Sequence, residues 1–278
     1  MKIEELSEEE IKLLEKSDGI EKSTNEESKK SLKNIIYKVN RLEETLNNSV
    51  DVQEKLKIIY EVGKTLLASC SDNVYSQRLP VAALKTFSKH FVGLIVKNSF
   101  TLSNFKALIP NTYDIGSHSV NVAIFASLIG SKEGMNAKEL NNLFLAGLLH
   151  DIGESKIDKR IINKQGKITK EERKILKKHP LESVKHLVKH SINNQELLSG
   201  VIQHHERLDG TGYPEGLKGY SISTWGQILG ISDVFDALIT QKSYRDAYST
   251  FDALILMKKD MGKQFNLKYV NTLIKLLR

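Results

Sequence analysis

The sequence is poor in cysteine, with Cys70 as the only one among 278 residues. A single cysteine permits neither an intrachain disulfide nor a cysteine-based zinc cluster, which excludes a disulfide-stabilised secreted scaffold. The first residues are acidic and lack the apolar stretch of a signal peptide. These absences predict a protein of the reducing cytoplasm.

Long hydrophobic runs are also absent. The longest apolar stretches, such as 120–130, fall well short of the roughly 18 residues that a membrane-spanning helix needs, so no membrane span is expected. Proline is scarce, at four residues, and no segment has the apolar–polar alternation of a β-strand. With 40% hydrophobic residues available for a core, the composition predicts a mostly α-helical protein.

The net charge of +7 comes from a surplus of lysine. A surplus of this size is typical of a protein with an anionic partner, such as a nucleotide, a nucleic acid or a membrane surface. It is equally typical of a lysine-rich solvated surface. Charge alone leaves these two interpretations open.

The first third of the chain contains no catalytic pattern. Residues 1–30, rich in Glu, Lys and Ser, predict a flexible segment with a short helix around 7–16. Residues 31–98 carry helical stripes of apolar residues and predict a small regulatory or dimerising domain. His90 stands alone on one of these helices and is expected to be structural or solvated.

Five of the eight histidines lie within or at the end of apolar helical segments after residue 102. In one of them, 144–157, the apolar run ends at His150 and Asp151, and Gly153 then interrupts the helix. Burying such a polar pair is costly without a partner, and imidazole and carboxylate are both good ligands for a divalent metal. The candidate metal ligands are His118, His150, Asp151, His179, His204, His205 and Asp233.

Seven nitrogen and oxygen ligands exceed the needs of one catalytic metal and suit two metals that share a carboxylate. Asp151 is the natural bridge, because His150 is fixed beside it at the same helix end. Each motif alone is weak evidence, whereas the ordered set is strong. A further pair, His186 and His190, has the i, i+4 spacing of a zinc site, but its neighbouring lysines favour a solvated basic face.

The His150-Asp151 pair and the segment HHERLDGTGYPEGLKG at 204–219 resemble the HD-GYP family, a branch of the HD-domain phosphohydrolases. The resemblance covers about residues 102–278. It implies an all-α fold, the HD-domain helical bundle, with a metal-dependent phosphohydrolase domain that we place at 99–278. It also implies two divalent metal ions, iron or manganese, at the seven candidate ligands, and hydrolysis of cyclic di-GMP to pGpG or GMP.

The resemblance assigns catalytic and substrate-binding residues as well. Arg245 and Lys242 would hold a substrate phosphate beside the metals and Asp151, although Lys242 stands where the family usually has arginine. The loop residues Gly212, Tyr213 and Pro214 would shape the nucleotide pocket. Asp114 occupies the position of an extra glutamate ligand in the trinuclear branch, and we favour a helix N-cap there over a third metal.

Glu154 is the main departure from the family pattern, which usually has a phosphate-binding lysine at this position. A carboxylate there should repel an anionic substrate. Two functions therefore remain: a cyclic di-GMP phosphodiesterase, which the intact ligand set favours, and a weak or inactive relative that binds cyclic di-GMP or a protein partner as a signalling receptor. Signalling proteins and a second copy of the chain are the expected macromolecular partners, and no nucleic-acid polymer is expected.

Overall fold

The computed structural model describes residues 26–49, 51–71, 79–97, 100, 102–106, 114–162, 164, 166–241 and 246–277. The chain divides into two compact units, residues 1–91 and 92–278. The described residues form α-helices and short 3₁₀ turns without any β-strand, apart from an isolated bridge between Asp209 and Lys218. The predicted all-α fold is confirmed, while the helix predicted at 7–16 lies outside the described residues.

The first unit contains helices α1 (Glu26–Asn40), α2 (Leu42–Asn48) and α3 (Val52–Ser71), and α4 (Val81–Lys97) begins in it. Helix α1 packs against α3. The apolar stripe that predicted the first two helices is buried along its whole length, at Leu32, Ile35, Ile36, Val39, Leu42 and Leu46. Burial of this stripe supplies the hydrophobic free energy that holds these helices together.

The second unit continues with ten helices in the described residues. They are α5 (Leu102–Lys106), α6 (Ile115–Lys132), α7 (Ala137–Leu149), α8 (Lys159–Ile162), α9 (Lys170–Leu176), α10 (His179–Lys189), α11 (Gln195–Gln203), α12 (Thr224–Ile239), α13 (Thr250–Lys259) and α14 (Leu267–Lys275). A 3₁₀ turn, Ile152–Lys156, follows α7, and a second, Gly219–Ser221, precedes α12.

Helices α6, α7 and α12 form the centre of this unit, with α6 packed against both of the others. Gly147 allows the close approach of α7 to α6, because a Cβ at this position would overlap the Ala123 backbone. Helix α11 packs against α7 and α12 and adjoins α10. The core therefore consists of helices that are apolar over most of their surface and can deliver polar side chains only from a few positions.

Helix starts follow the local signals in the sequence. Asp114 caps α6 by accepting a hydrogen bond from the Ser117 amide, which confirms the N-cap expectation for that residue. Thr169 and Glu172 form a capping box at the start of α9. Helix α10 begins at His179 and accommodates Pro180 in its first turn.

Candidate metal centre

The second unit brings the predicted metal ligands together at one place. The ligand atoms of Asp151, His179, His204 and His205 lie within 4.8 Å of one another, and those of His118, His150 and Asp151 form a second such group. Asp233, from α12, lies beside both groups. Its Oδ1 is 3.3 Å from His118 Nε2, and its Oδ2 is 3.7 Å from His205 Nδ1.

The Asp151 carboxylate is shared between the two groups. Its Oδ1 faces His179 Nε2 at 3.1 Å and His204 Nε2 at 3.4 Å. Its Oδ2 faces His150 Nε2 at 3.1 Å and His118 Nε2 at 3.7 Å. One carboxylate thus directs one oxygen into each group, as a ligand that bridges two metal ions does.

Three of the histidines are oriented by backbone carbonyl groups near helix ends. The Nδ1 atoms of His150, His179 and His204 lie 2.8, 2.8 and 2.6 Å from backbone carbonyl oxygens three residues earlier in the chain. An Nδ1–H that donates to a carbonyl leaves the Nε2 lone pair free to bind a metal. Each helix end therefore fixes both the ring direction and the tautomer that a ligand needs.

His118 is oriented by a different group, the buried carboxylate of Asp236. His118 Nδ1 lies 2.6 Å from Asp236 Oδ2, and the Asn121 side chain donates to Asp236 Oδ1 at 2.7 Å. The sequence analysis did not identify Asp236. The available signal was its spacing of three residues from Asp233, which places both carboxylates on one face of α12.

Close packing joins the His150-Asp151 helix end to α10. The Gly153 amide donates to Ser183 Oγ at 2.8 Å, and Ser183 Oγ donates to the His150 carbonyl oxygen at 2.7 Å. A Cβ on Gly153 would collide with the His179 carbonyl oxygen and the Ser183 amide nitrogen. Gly153 is thus required for the contact that places Asp151 next to His179, beyond its role in ending the helix.

The glycine-rich loop after His205 is held in place by Glu206. This buried carboxylate accepts backbone hydrogen bonds from Glu215, Gly216 and Leu217 at 2.7, 3.1 and 3.0 Å. The loop places the Tyr213 ring parallel to that of His205, with 4.5 Å between ring centroids. Tyr213 therefore lies beside His205, at the edge of the candidate metal centre.

Two buried ligand atoms of this centre, His150 Nε2 and Asp151 Oδ1, make no hydrogen bond of acceptable geometry with the described residues. His179 Nε2 and His204 Nε2 face each other at 3.3 Å. Lone pairs that converge in a buried space need a cation between them, so the donor set fits divalent metals with nitrogen and oxygen ligands.

The charges in the centre shift several pKa values. Burial opposes ionisation of Asp151, but the adjacent His150 and His179 hold its pKa well below the usual range. Burial likewise disfavours the His179 cation, but Asp151 raises the pKa of this histidine to about 9. Burial and the neighbouring His204 hold the pKa of His205 well below its usual range. The carboxylates are therefore ionised and ready to bind cations.

Glu154 lies near this centre, in the 3₁₀ turn after Asp151. Burial and the negative charge of Asp151 raise the pKa of Glu154 to about 7. Its carboxyl group is therefore partly protonated at neutral pH and carries less negative charge than the sequence suggests. Two of the predicted phosphate-binding residues, Lys242 and Arg245, lie outside the described residues.

The expectation that His186 is solvated was wrong. Its side chain is buried, Nε2 has no hydrogen-bond partner, and its ring centroid is 4.5 Å from that of His190. The helical period explains the burial, because His186 shares the inward face of α10 with His179 and Ser183. The lysines that suggested a solvated face, Lys185 and Lys189, are exposed on the other side.

Comparisons with known proteins agree with this geometry. The HD domain family matches residues 103–267. The cyclic di-GMP phosphodiesterase PdeB of Borreliella burgdorferi is 34% identical over 157 residues, which cover 56% of this chain and 41% of the relative. The 3′3′-cGAMP-specific phosphodiesterase 1 of Vibrio cholerae is 32% identical over 160 residues, covering 56% of this chain and 37% of the relative.

A solved structure of Bd1817, an HDG"Y"P protein from Bdellovibrio bacteriovorus, superposes with a TM-score of 0.71. The two chains are 22% identical, and the superposition covers 88% of this chain and 79% of the other, which shows a common fold.

No described helix is both long and apolar enough to cross a membrane. The matched segment spans only about two fifths of the length of the two curated relatives. The chain belongs to the HD domain family.

Proposed function

We propose that the second unit is a phosphodiesterase that hydrolyses cyclic di-GMP to pGpG or GMP with a dinuclear metal centre. The ligands are the seven predicted residues, His118, His150, Asp151, His179, His204, His205 and Asp233. The observation that carries the proposal is the orientation of Asp151, whose two oxygens face two separate groups of histidines at 3.1 to 3.7 Å. The similarity to PdeB, a cyclic di-GMP phosphodiesterase, supports this choice of substrate.

Two divalent ions held by these ligands, with iron or manganese as our proposal, would supply an activated water and would stabilise negative charge on a phosphoryl group. The chain's own residues hold the ligand set rigid, since three of the imidazoles are locked by backbone carbonyls and His118 by Asp236. Tyr213 provides an aromatic wall for a guanine or ribose. Lys242 and Arg245 remain our proposed phosphate contacts.

A second candidate is a weak or inactive protein that binds cyclic di-GMP or a protein partner as a receptor. Glu154 favours it, because a group with an elevated pKa of about 7 still carries negative charge near the substrate position. The complete ligand set favours catalysis. A protein that had lost turnover would have no need to keep Asp151 and five histidines in ligand geometry.

The test is to purify the full chain without oxygen in the presence of iron or manganese. Metal per chain is then counted, and cyclic di-GMP products are separated by chromatography. We expect about two metals per chain and formation of pGpG or GMP. The variant Asp151→Ala should lose both metals and all turnover, because the bridge is removed. Asp158→Ala is the matched control, since Asp158 is exposed and is paired with nearby Arg160.

Retention of two metals per chain in Asp151→Ala would contradict the bridging role. Two metals without turnover in the wild-type chain would support the receptor instead, and calorimetry with cyclic di-GMP would then measure its affinity. If the metal-loaded chain hydrolyses 3′3′-cGAMP but not cyclic di-GMP, the proposed phosphodiesterase reaction stands and the proposed substrate is wrong.

A further inference from the structure

A lysine lies at the outer edge of the metal centre, at the point where α9 ends. Lys177 is exposed, and its Nζ is 4.9 Å from the centroid of the Tyr213 ring. The Tyr213 ring in turn lies 4.5 Å from that of His205 and 6.3 Å from that of His179. The ammonium group is therefore one aromatic ring away from two of the proposed metal ligands.

Two other cations of the second unit, Arg207 and Lys164, are already engaged. Arg207 is held by the carbonyl oxygens of His204 and Glu206, at 3.0 and 2.8 Å. Lys164 is paired with Glu172 at 2.7 Å. Within the described part of the chain, Lys177 has no carboxylate partner, and its contact is with the face of an aromatic ring.

We propose that Lys177 binds a phosphate group of the substrate and fills the role left open by Glu154. This inference rests on the proposed function, since it requires a cyclic dinucleotide at the metal centre. A cation–π contact at an exposed site is weaker than a charge-assisted hydrogen bond to phosphate. The ammonium can therefore leave the ring when an anion arrives, and its long flexible stem gives it the reach to do so.

The position of Tyr213 strengthens the inference. Glu206 fixes the backbone of the loop through three hydrogen bonds, and Tyr213 is stacked on His205. The ring is thus held in place beneath the ammonium group, and a nucleotide that binds beside the ring would bring its phosphate within reach of the ammonium. Glu154, by contrast, lies in the 3₁₀ turn directly after Asp151, and a carboxyl group there cannot attract an anion.

The experiment measures steady-state kinetics of the metal-loaded full chain at low and high ionic strength, with cyclic di-GMP, 3′3′-cGAMP and cyclic di-AMP. Lys177→Met keeps an apolar stem over the Tyr213 ring and removes the charge, whereas Lys177→Arg keeps the charge. The matched control is Lys178→Met, because Lys178 is the next residue, is exposed and makes no side-chain cap bond.

We expect Lys177→Met to raise KM roughly tenfold while kcat changes less than about twofold, as for a lost charge-assisted contact to bound substrate. The salt dependence of kcat/KM should weaken in the same variant. Lys177→Arg should stay close to wild type, and Lys178→Met should match wild type in both constants. Unchanged KM in Lys177→Met, or an equal rise in the Lys178→Met control, would overturn the phosphate contact.

The panel of substrates separates this inference from the proposed function. If 3′3′-cGAMP or cyclic di-AMP is hydrolysed and cyclic di-GMP is not, the proposed substrate is wrong, and Lys177 is tested on the compound that reacts. If the metal-loaded wild-type chain neither hydrolyses nor binds any of the three, both proposals are overturned.

Discussion

At the scale of single residues, two histidines on one helix face show how neighbours decide the role of a side chain. His179 and His186 are both buried on α10. Asp151 lies 3.1 Å from His179 Nε2 and raises the pKa of His179 to about 9. Burial, His190, Lys156 and Lys189 lower the pKa of His186 to about 4. The first environment attracts cations and the second repels them, so only His179 suits a metal.

The low pKa of His186 predicts a stability that falls with acidification. The folded state keeps this group neutral down to about pH 4, whereas the unfolded chain takes up a proton near pH 6.5. Stability is therefore full above pH 6.5 and is lost as the pH falls toward 4. Relative to His186→Leu, the wild-type chain should lose about 1–2 kcal/mol between pH 7 and pH 5.

Urea unfolding at pH 7 and pH 5 measures the free energy of unfolding of each chain. Protonation of the metal ligands affects both chains equally, so it cancels when His186→Leu is compared with wild type. Lys156→Met serves as a second variant, because removal of this positive charge should reduce the loss without abolishing it. Equal pH dependence in the wild-type chain and His186→Leu would show that His186 is protonated freely in the folded state.

Asp236 is expected to be a positioning residue for His118. The change Asp236→Asn keeps the size of the side chain but replaces the charged acceptor for His118 Nδ1 and disturbs the hydrogen bond from Asn121. Metal affinity, measured by competition with a chelator of known affinity, should fall roughly 10–100-fold. Asp260→Asn removes the same charge from an exposed site and should leave affinity unchanged. A similar loss in both variants would point to a general effect of net charge.

At the scale of elements, the metal centre is built where buried helices end or begin. Asp151 follows α7, His179 opens α10 and His204 follows α11. A buried helix can carry a polar side chain at its end at low cost, because the terminal backbone groups need partners anyway. The contact between the 3₁₀ turn at Ile152–Lys156 and the start of α10 sets the distance between the ligands of these two elements.

Gly153→Ala should therefore disturb the centre without touching a ligand. The new methyl group would force the His179 carbonyl and Ser183 amide to move away from the turn. Overpacking of this kind costs about 1–3 kcal/mol, and the shift should also lower the metal content. Gly93→Ala is the control, because no atom lies within 4 Å of its added Cβ and alanine favours the helix there.

Thermal unfolding and metal content, measured on the two variants, test whether Gly153 is needed for the geometry of the metal centre. Gly153→Ala should lose both stability and metal, whereas Gly93→Ala should be equal to wild type or slightly more stable. A Gly153→Ala chain with full metal content would show that the turn and α10 can separate without moving Asp151 from His179.

The sequence allowed most elements and all seven candidate ligands to be predicted, because the relevant signals are local. Apolar periods mark the helices, Thr169 and Glu172 mark the start of α9, and histidines at helix ends stand out against apolar neighbours. Ser183 and Glu206 were missed for the opposite reason. Their partners lie in other elements or in a loop, and no local spacing reveals which polar side chain will face which backbone group.

At the scale of the whole molecule, the position of charge matters more than its amount. The chain carries a formal charge of +7, yet Asp151, Asp233 and Asp236 are gathered at the centre of the second unit. Buried carboxylates of this kind repel one another and lose hydration unless cations offset their charge. The fold therefore places a site for cations inside a protein whose surface is rich in lysine.

Removal of the metals should consequently destabilise the second unit. Ligands that bind only the folded state stabilise it by mass action, by about 3 kcal/mol when free metal exceeds its dissociation constant roughly 100-fold. A chelator should lower the midpoint of thermal unfolding of the wild-type chain, and readdition of manganese should restore it. Hydrogen exchange should show the loss of protection in α6, α7, α10, α11 and α12, which supply or adjoin the ligands.

Asp151→Ala provides the control, since its unfolding midpoint should already be low and should respond to neither chelator nor manganese. Equal responses in the two chains would mean that metal stabilises the fold elsewhere than at Asp151.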